Sequence, residues 1–307
     1  MLYRISIDLR APLGTPLRSG TLFGHLCWAL LDRDGEEALA DWLEKMESGE
    51  RAPFLISDGF PAGLLPRPLL RPQPPAEELS PEVADRLKQR RKAAFVGRED
   101  FLRLRRGAPQ EAWAEAAAGT ELLEEKAVQH AHNRIDRLTG STPETAGLWF
   151  VTDDWSHAAA PRRDIYVESD LDKAFLQELF VHVGESGYGR DTTYGRGLFA
   201  VIGIEEEREL DNFTGERLVS LSHGVLTSNM ERPRYRRTTH FGKLGIRMTA
   251  RTARPWKRPI LLMQPGATFA AEGNGPFGRL LSEVHQDLPE IRFNAWHLAI
   301  PYRETVS

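Results

Sequence analysis

Cysteine is almost absent from the 307-residue chain: Cys27 is the only one, so no internal disulfide can form. It lies among Leu26, Trp28 and Leu30, and we interpret it as a packing residue rather than a reactive thiol. No histidines or cysteines cluster at metal-ligand spacing, so neither a metal site nor a cofactor is expected. A single cysteine fits a reducing cytoplasm.

Long apolar runs are also missing. No stretch approaches the roughly 20 uninterrupted apolar residues that a membrane helix needs. Residues 1–8 alternate apolar and polar residues like a half-buried strand and contain no apolar signal-peptide core. With 41% hydrophobic and 27% charged residues, the composition is that of a globular protein long enough for two domains. We expect a cytoplasmic protein without a membrane partner.

The net charge of −4 conceals a strong separation of charge along the chain. Residues 32–50 hold eight acids and two bases, whereas residues 86–106 hold nine bases and two acids. Residues 217–258 hold eleven bases and one acid, Glu231. Two basic tracts on a mildly acidic chain favour a groove for a polyanion, and a solvated basic face is the alternative.

Residues 184–199, GESGYGRDTTYGRGLF, predict a glycine-rich loop that holds phosphates. Its five glycines allow backbone N–H groups to face a ligand at positive φ. A helix precedes the glycines and no Gly-Lys-Ser/Thr ending follows, so the pattern is not that of the familiar nucleotide loops. Charge, hydroxyl donors and faces for base stacking come from three pairs of residues: Arg190 and Arg196, Thr192 and Thr193, Tyr188 and Tyr194.

The N-terminal third predicts a strand followed by two helices. Ser19 or Thr21 is expected to cap a helix that runs to about Leu31, and a second helix spans about 36–47. The helix start, with Arg18 and Ser19, is a candidate anion site, although a capped helix explains the same residues. Seven prolines between positions 61 and 81 predict an extended crossing, and helices are predicted over 82–106 and 110–127.

Two arms around the Thr-Gly-Ser-Thr-Pro turn at 139–143 predict a β-hairpin. The first arm is dense in hydrogen-bond donors, and an exposed hairpin with solvated polar residues is the alternative interpretation. The donors are His132, Asn133, Arg134 and Arg137.

Beyond the hairpin, the sequence predicts a helix from Asp170, the glycine-rich loop, and a largely apolar strand from 198 to 204. The acidic run at 205–209 marks the end of a first domain. Alternating strands and helices in both halves predict an α+β protein of two related units. Candidate strands of the second unit are 218–225, 243–251, 259–263, 268–271 and 295–300.

Six stretches in a fixed order carry a family resemblance. They are SGTLFGHLCW (19–28), SDGFP (57–61) with LLPRP (64–68), HNRIDRLTG (132–140), GYGRDTTYGRGLF (187–199), GKLG (242–245), and PILLM (259–263) with PG (265–266). Their order and spacing resemble the RAMP superfamily of CRISPR proteins and, within it, subunit 4 of the type III-A Csm effector complex. The resemblance covers almost the whole chain.

This resemblance implies two ferredoxin-like, RNA-recognition-like domains, at 1–205 with an insertion at about 50–150 and at 206–307. It implies a non-catalytic subunit that grips the 5′ repeat-derived handle of the CRISPR RNA (crRNA). The large polymerase-like subunit and the first backbone RAMP subunit are the implied protein partners. A thumb-like hairpin would fall on 132–142, with the 82–127 insertion as the other location. The implied RNA-binding residues are Ser19, Thr21, His132, Asn133, Arg134, Arg137, Gly187, Tyr188, Gly189, Arg190, Thr192, Thr193, Tyr194, Gly195, Arg196, Gly197 and Lys243.

Three other functions compete with RNA binding. Some RAMP proteins cut precursor RNA without metal, and His132 with Tyr188 or Tyr194 would supply the acid and base. Asp136 would be the residue for metal-assisted cutting, although pairing with an arginine is the simpler role. A sugar- or nucleotide-phosphate enzyme would use the loop, but no paired carboxylates or nucleophile and base accompany it.

Overall fold

The computed structural model describes residues 1–71, 93–118, 127–145, 147–155, 158, 160–273 and 275–305. The predictions for 72–81 of the proline-rich crossing, 82–92 of the basic helix and 119–126 of the alanine-rich helix fall outside these residues. Within the described ranges, every helix is too short or too polar to cross a bilayer.

Strands and short helices dominate the described residues. The helices are α1 (Ser19–Asp34), α2 (Glu36–Ser48), α3 (Arg98–Leu104), α4 (Gln110–Ala118), α5 (Lys173–Ser186), α6 (Arg208–Asp211) and α7 (Ile246–Thr249), with a 3₁₀ turn at Thr192–Tyr194. The strands are β1 (Leu2–Leu9), β2 (Leu55–Ile56), β3 (Phe60–Pro61), β4 (Leu64–Pro66), β5 (Phe95–Gly97), β6 (Ala127–Asn133), β7 (Leu148–Asp154), β8 (Arg162–Glu168), β9 (Phe199–Glu206), β10 (Arg217–Ser220), β11 (Met230–Arg234), β12 (Arg237–His240), β13 (Ile260–Met263), β14 (Thr268–Ala271), β15 (Leu280–Leu281), β16 (Phe293–Asn294) and β17 (Ala299–Tyr302).

The first sheet has the order β2-β8-β1-β9, and β3 also pairs with β8. All its neighbours are antiparallel. Helix α1 follows the first strand and α5 follows the third, which is the βαββαβ arrangement of a ferredoxin-like unit. The predicted hairpin is confirmed: β6 pairs with β7 from Ala127 opposite Asp154 to Asn133 opposite Leu148.

The core of this unit lies between the sheet and the two long helices. Ile5 and Ile7 of β1 are fully buried, because a strand presents alternate residues to one face. They pack in one cluster with Phe23 and Leu26 of α1 and with Phe180 of α5. Full burial of each such side chain contributes about 1.5–3 kcal/mol to folding.

The second sheet repeats this strand order. Its order is β11-β14-β10-β17. As in the first sheet, the first strand in sequence lies between the third and the fourth strands, and the second strand pairs with the third. The connection from β10 to β11 (221–229) and that from β14 to β17 (272–298) contain no α-helix among their described residues; residue 274 is not described. In each sheet the longest connection joins the second strand to the third. It is the insertion at 62–161 in the first sheet, and the segment 235–267 with the β12–β13 hairpin in the second. The α+β class is confirmed.

The insertion and the second sheet share one core on the outer face of the first sheet. Phe101 of α3 and Trp113 of α4 are buried in the same cluster as Tyr166 of β8 and Ile300 and Tyr302 of β17. The two sheets are therefore held together by apolar packing as well as by polar contacts.

Several local predictions were wrong. Strand β8, at the centre of the first sheet, was not predicted, and the strand expected at 243–251 is instead a loop around the short helix α7. Helix α1 has Arg18 at its N-cap without a side-chain cap, so neither predicted capping residue caps it. Helix α5 begins at Lys173, three residues after the predicted start, and its N-cap Asp172 accepts from the Phe175 N–H.

We expect Ile5→Ala to lower the free energy of unfolding by about 2–5 kcal/mol, because it removes a fully buried side chain. Ile202→Ala is the matched control. It makes the same change in β9, where the side chain is 47% exposed, and should cost less than about 1 kcal/mol. Urea unfolding measures both, and equal losses would contradict this placement of the core.

Candidate nucleic-acid interface

The glycine-rich loop closes against the segment that precedes α1. Tyr188 N–H donates to the Gly197 carbonyl at 3.0 Å, and Gly197 N–H donates to the Pro12 carbonyl at 3.0 Å. Gly187, Gly189, Gly195 and Gly197 all have φ between 71° and 84°, a region that favours glycine. A Cβ atom on Gly197 would lie 2.0 Å from the Tyr188 carbonyl oxygen. The loop shape therefore depends on these glycines.

Tyr188, which was predicted to stack on a base, is fully buried, so its ring is not accessible for stacking in this structure. Its hydroxyl donates to the Pro16 carbonyl at 2.6 Å and accepts from the Arg18 N–H at 3.0 Å. Thr21 also lies within hydrogen-bonding reach of this hydroxyl, and burial raises the Tyr188 pKa. Tyr188 and Thr21 thus fasten the loop to the start of α1.

Arg196 is buried and its charge is paired inside the protein. The guanidinium lies 2.7 Å from Asp153 Oδ2 and 3.3 Å from Asp191 Oδ2. Breaking these pairs would leave Asp153, which is only 2% exposed at its side chain, without its counterion. Arg196 was predicted to hold phosphate; in this structure its charge is paired within the protein, where it connects the loop to the end of β7.

Arg190 anchors the same loop to the base of the hairpin while remaining half-exposed. Its Nε donates to the Gly14 carbonyl at 2.5 Å, and its Nη2 donates to the Thr152 carbonyl. Asp153 Oδ1 lies 3.8 Å away. With 47% of its side chain accessible, Arg190 also places positive charge on the loop surface.

Thr193 and Tyr194 form the outward face of the loop. Tyr194 is 74% exposed, and the space beside Gly195 is open. Thr192, half-buried, begins the 3₁₀ turn that presents them. Of the two tyrosines, Tyr194 is the one whose ring is accessible for base stacking.

The hairpin presents aromatic and basic residues together. The His132 ring stacks on Trp149, with centroids 5.7 Å apart and planes 13° apart, and Trp149 remains 45% exposed. Asn133 ends the strand with its amide donating to Thr142 at 3.2 Å. The tip beyond it carries the exposed side chains of Arg134 and Arg137. These donors lie at the free end, away from the glycine-rich loop at the hairpin base.

Asp136 lies in the tip of the hairpin, between β6 and β7. Its carboxylate accepts from the Leu138 N–H at 2.8 Å, which makes it a turn-stabilising residue. No group of three or more histidine, cysteine or acidic residues able to hold a metal occurs within the described ranges.

Ser19, a predicted phosphate contact, is 1% exposed and bonded to protein groups in this structure. Its hydroxyl donates to the His223 carbonyl at 3.3 Å and accepts from the His223 N–H at 3.1 Å. Its own N–H donates to Asp58 Oδ1 at 2.9 Å. The start of α1 is thus satisfied by protein groups from both sheets.

Lys243 lies on a different surface, with its Nζ 5.9 Å from the Trp256 ring centroid. Lys243 belongs to the basic tract 217–258. Five of its arginines pair with acids of this chain: Arg217 and Arg234 with Glu304, Arg247 with Asp32, Arg251 with Glu290, and Arg254 with Asp287. Trp256 is 61% exposed, so the surface around Lys243 combines positive charge with an accessible aromatic ring.

A cleft of about 410 Å³ lies between the two sheets, close to the loop. Arg18, Asp58, His223 and Arg236 are among its lining residues. Asp58 Oδ2 accepts from His223 Nδ1 at 2.6 Å, so the imidazole has a fixed orientation. Sequence reasoning missed this cleft because its lining residues extend along the chain from Leu13 to Pro265. Of these residues, Arg18 belonged to a predicted anion site and Arg236 to a predicted basic tract.

His25 connects the loop to α1 through an uncharged imidazole. Its Nε2 accepts from the Gly189 N–H at 2.9 Å, which requires this nitrogen to be unprotonated. Burial, with a smaller effect from the Lys257 charge, lowers the His25 pKa to about 4.

We expect Gly197→Ala to destabilise the protein by more than about 2 kcal/mol, because it adds a backbone clash to a strained φ. Gly195→Ala is the matched control: φ is 78° there, but no atom lies within 4 Å of the new Cβ atom. It should cost about 1 kcal/mol. Thermal or urea unfolding distinguishes them, and equal effects would contradict the described loop closure.

We expect stability to fall as the pH drops from about 6.5 towards 4, partly through His25. The folded-state pKa lies below the unfolded value, so the unfolded chain binds more protons over this window. One such group contributes at most about 1.4 kcal/mol per pH unit. His25→Gln keeps an acceptor without titrating, so its unfolding free energy should depend less on pH in urea titrations; an unchanged dependence would contradict the assignment.

Comparisons with known proteins give matches among solved structures alone. No family model and no curated protein matches the chain. A chain from the Csm1–Csm4 cassette with pppApA matches with a TM-score of 0.58 and 17% identity, covering 99% of this chain and 100% of that one. The same cassette with cA4 gives 0.59 and 16%, with the same coverage. The Csm3–Csm4 subcomplex of the type III-A CRISPR-Cas interference complex gives 0.55 and 13%, covering 98% and 99%.

Csm4 is the component common to these assemblies. The identities of 13–17% mean that the shared property is the fold, and the match extends over the full length of both chains. The predicted resemblance is confirmed at the level of the fold: the chain has an α+β fold that it shares over its full length with chains of these Csm4-containing assemblies.

Proposed function

We propose that this chain is a non-catalytic RNA-binding subunit of a type III-A CRISPR interference complex. In this role it grips the 5′ repeat-derived handle of crRNA and links the large polymerase-like subunit to the backbone RAMP subunits. The observation that carries the proposal is the full-length fold match to assemblies that contain Csm4. Those assemblies join Csm4 to Csm1 in one case and to Csm3 in the other, which supports two protein partners for this chain.

Surface chemistry supports RNA as the ligand. Single-stranded RNA is recognised by stacked bases and by donors to phosphate. Tyr194 and Thr193 supply an exposed ring and hydroxyl on the loop, and Arg190 adds an accessible charge beside them. The hairpin adds the stacked pair His132 and Trp149. We assign the thumb-like role to this hairpin, at β6, β7 and the tip between them.

The alternative, a metal-independent endoribonuclease that processes precursor crRNA, has less geometric support. Tyr188 is buried and already hydrogen-bonded, so it cannot serve as an acid or base for RNA. His132 has its Nε2 buried, and its ring lies flat against Trp149. Both features suit binding better than proton transfer.

Co-purification tests the proposed function. The tagged chain, expressed together with its neighbouring genes, should come away with guide RNA and with the large polymerase-like subunit. Loss of both from intact, folded protein would refute the proposal. His132→Ala serves as the test for the enzyme: abolished cutting of a labelled repeat RNA with binding intact would favour catalysis over the proposed role.

Tyr194→Ala should weaken binding of single-stranded handle RNA by about 1–3 kcal/mol, because it removes an exposed stacking face. Tyr194→Phe keeps the face and should bind within about twofold of the unmodified chain. Fluorescence anisotropy with labelled RNA measures both. Equal losses in the two variants would show that the hydroxyl, not the ring, makes the contact.

A further inference from the structure

The cleft between the two sheets has walls from both halves of the chain. One side is the segment before α1, with Pro16 and Arg18, and the other is the second unit, with His223, Arg236 and Gln264. Its volume of about 410 Å³ lies within the range of about 300–1,000 Å³ typical of small-molecule pockets. It is therefore far larger than a site for phosphate alone and has room for a nucleoside as well.

Four arginines line this cleft, Arg18, Arg67, Arg163 and Arg236, together with the carboxylates of Asp58 and Asp154. Arg163 is buried and donates to backbone carbonyls, and we consider Arg18 and Arg236 as the phosphate ligands. Arg18 is half-buried, where its backbone N–H is held by Tyr188, and Arg236 is exposed on the opposite side. A guanidinium binds phosphate oxygens with paired donors, and its attraction increases where water is partly excluded. The pair is suited to one phosphate group at the cleft entrance.

The rest of the lining combines flat apolar surfaces with a few polar groups. The apolar surfaces that remain partly exposed include those of Pro61, Phe95 and Pro265, whereas Phe60 is buried and packs against Phe95. Such walls pack against the faces of a nucleobase, as proline and aromatic rings do in other base-binding pockets.

His223 supplies a polar group of fixed orientation. Its Nδ1 is 2.6 Å from Asp58 Oδ2, and its backbone N–H is 3.3 Å from Asp58 Oδ1. Among the described residues no hydrogen bond is formed to the other ring nitrogen, Nε2. Gln264 donates its amide to the Arg237 carbonyl at 3.4 Å, which leaves its side-chain oxygen as an acceptor. These two groups are suited to the edge of a base.

We propose that the cleft binds one unpaired nucleotide of the RNA. Arg18 and Arg236 hold its phosphate, the accessible surfaces of Phe95, Pro61 and Pro265 enclose the base, and His223 and Gln264 contact the edge of the base. The inference rests on the proposed function and deepens it, because it adds a pocket separate from the glycine-rich loop and the hairpin tip. A paired base cannot enter, so the pocket selects a splayed, single-stranded nucleotide.

Titration of the full chain with nucleoside 5′-monophosphates tests the pocket. Isothermal calorimetry should show binding that inorganic phosphate and the free nucleosides do not match. Arg236→Gln should weaken it by about tenfold or more, since a charge-assisted contact to phosphate is lost. Arg236 is exposed, so this change leaves the core intact.

Arg237→Gln is the matched control, because it removes the neighbouring exposed arginine that does not line the cleft. It should bind nucleoside monophosphates within about twofold of the unmodified chain. Equal losses in Arg236→Gln and Arg237→Gln, or binding of inorganic phosphate as tight as that of the nucleotides, would overturn the inference, since either would indicate general attraction of anions.

Handle RNA provides the second arm and separates this inference from the proposed function. Handle RNA carrying photoreactive uridines should crosslink to the cleft. At RNA concentrations that saturate each variant, Arg236→Gln should reduce the fraction of bound RNA that crosslinks there, whereas Tyr194→Ala should leave that fraction unchanged. If the chain binds RNA but crosslinks elsewhere only, the cleft assignment fails and the proposed function stands. If the unmodified chain binds no RNA at all, both fail.

Discussion

The Asp58 carboxylate connects the two halves of the molecule. It lies between β2 and β3, accepts from the Ser19 N–H at the start of α1, and holds His223 of the second unit through both its backbone and its ring. A buried carboxylate is costly unless donors surround it, so these contacts are needed as a set. The start of α1, the cleft and the junction between sheets all depend on this one group.

The loop and the hairpin are arranged around the same junction. Tyr188 fixes the loop to Pro16 and Arg18, and Arg196 fixes it to Asp153 at the end of β7. The charge of Arg196 and the aromatic hydroxyl of Tyr188 are thus used internally to set the geometry of the loop. The ligand-facing positions are the neighbours that remain exposed, Thr193, Tyr194 and the half-exposed Arg190.

Sequence patterns predicted local elements well where one physical rule dominated. The alternation at 3–9 indicated β1, and the apolar stripes indicated α1, α2 and α5. Strand β8 was missed although its Ile-Tyr-Val run is typical of a strand covered on both faces, with Ile165 and Tyr166 in different cores. Between 243 and 251, basic and apolar residues alternate, yet packing of Leu244 and Met248 under Trp28 selects a short helix and loop.

The sequence alone determined the α+β class, the hairpin, the glycine-rich loop and its need for positive φ, because these depend on local periodicity and on backbone freedom. Only the tertiary structure decided which loop side chains face outwards. Tyr188 and Tyr194 are both tyrosines among glycines, but one closes against Pro16 and Arg18 and the other faces solvent. The cleft likewise exists only in the folded chain, since Arg18, Asp58, His223 and Arg236 come together through long-range pairing of two sheets.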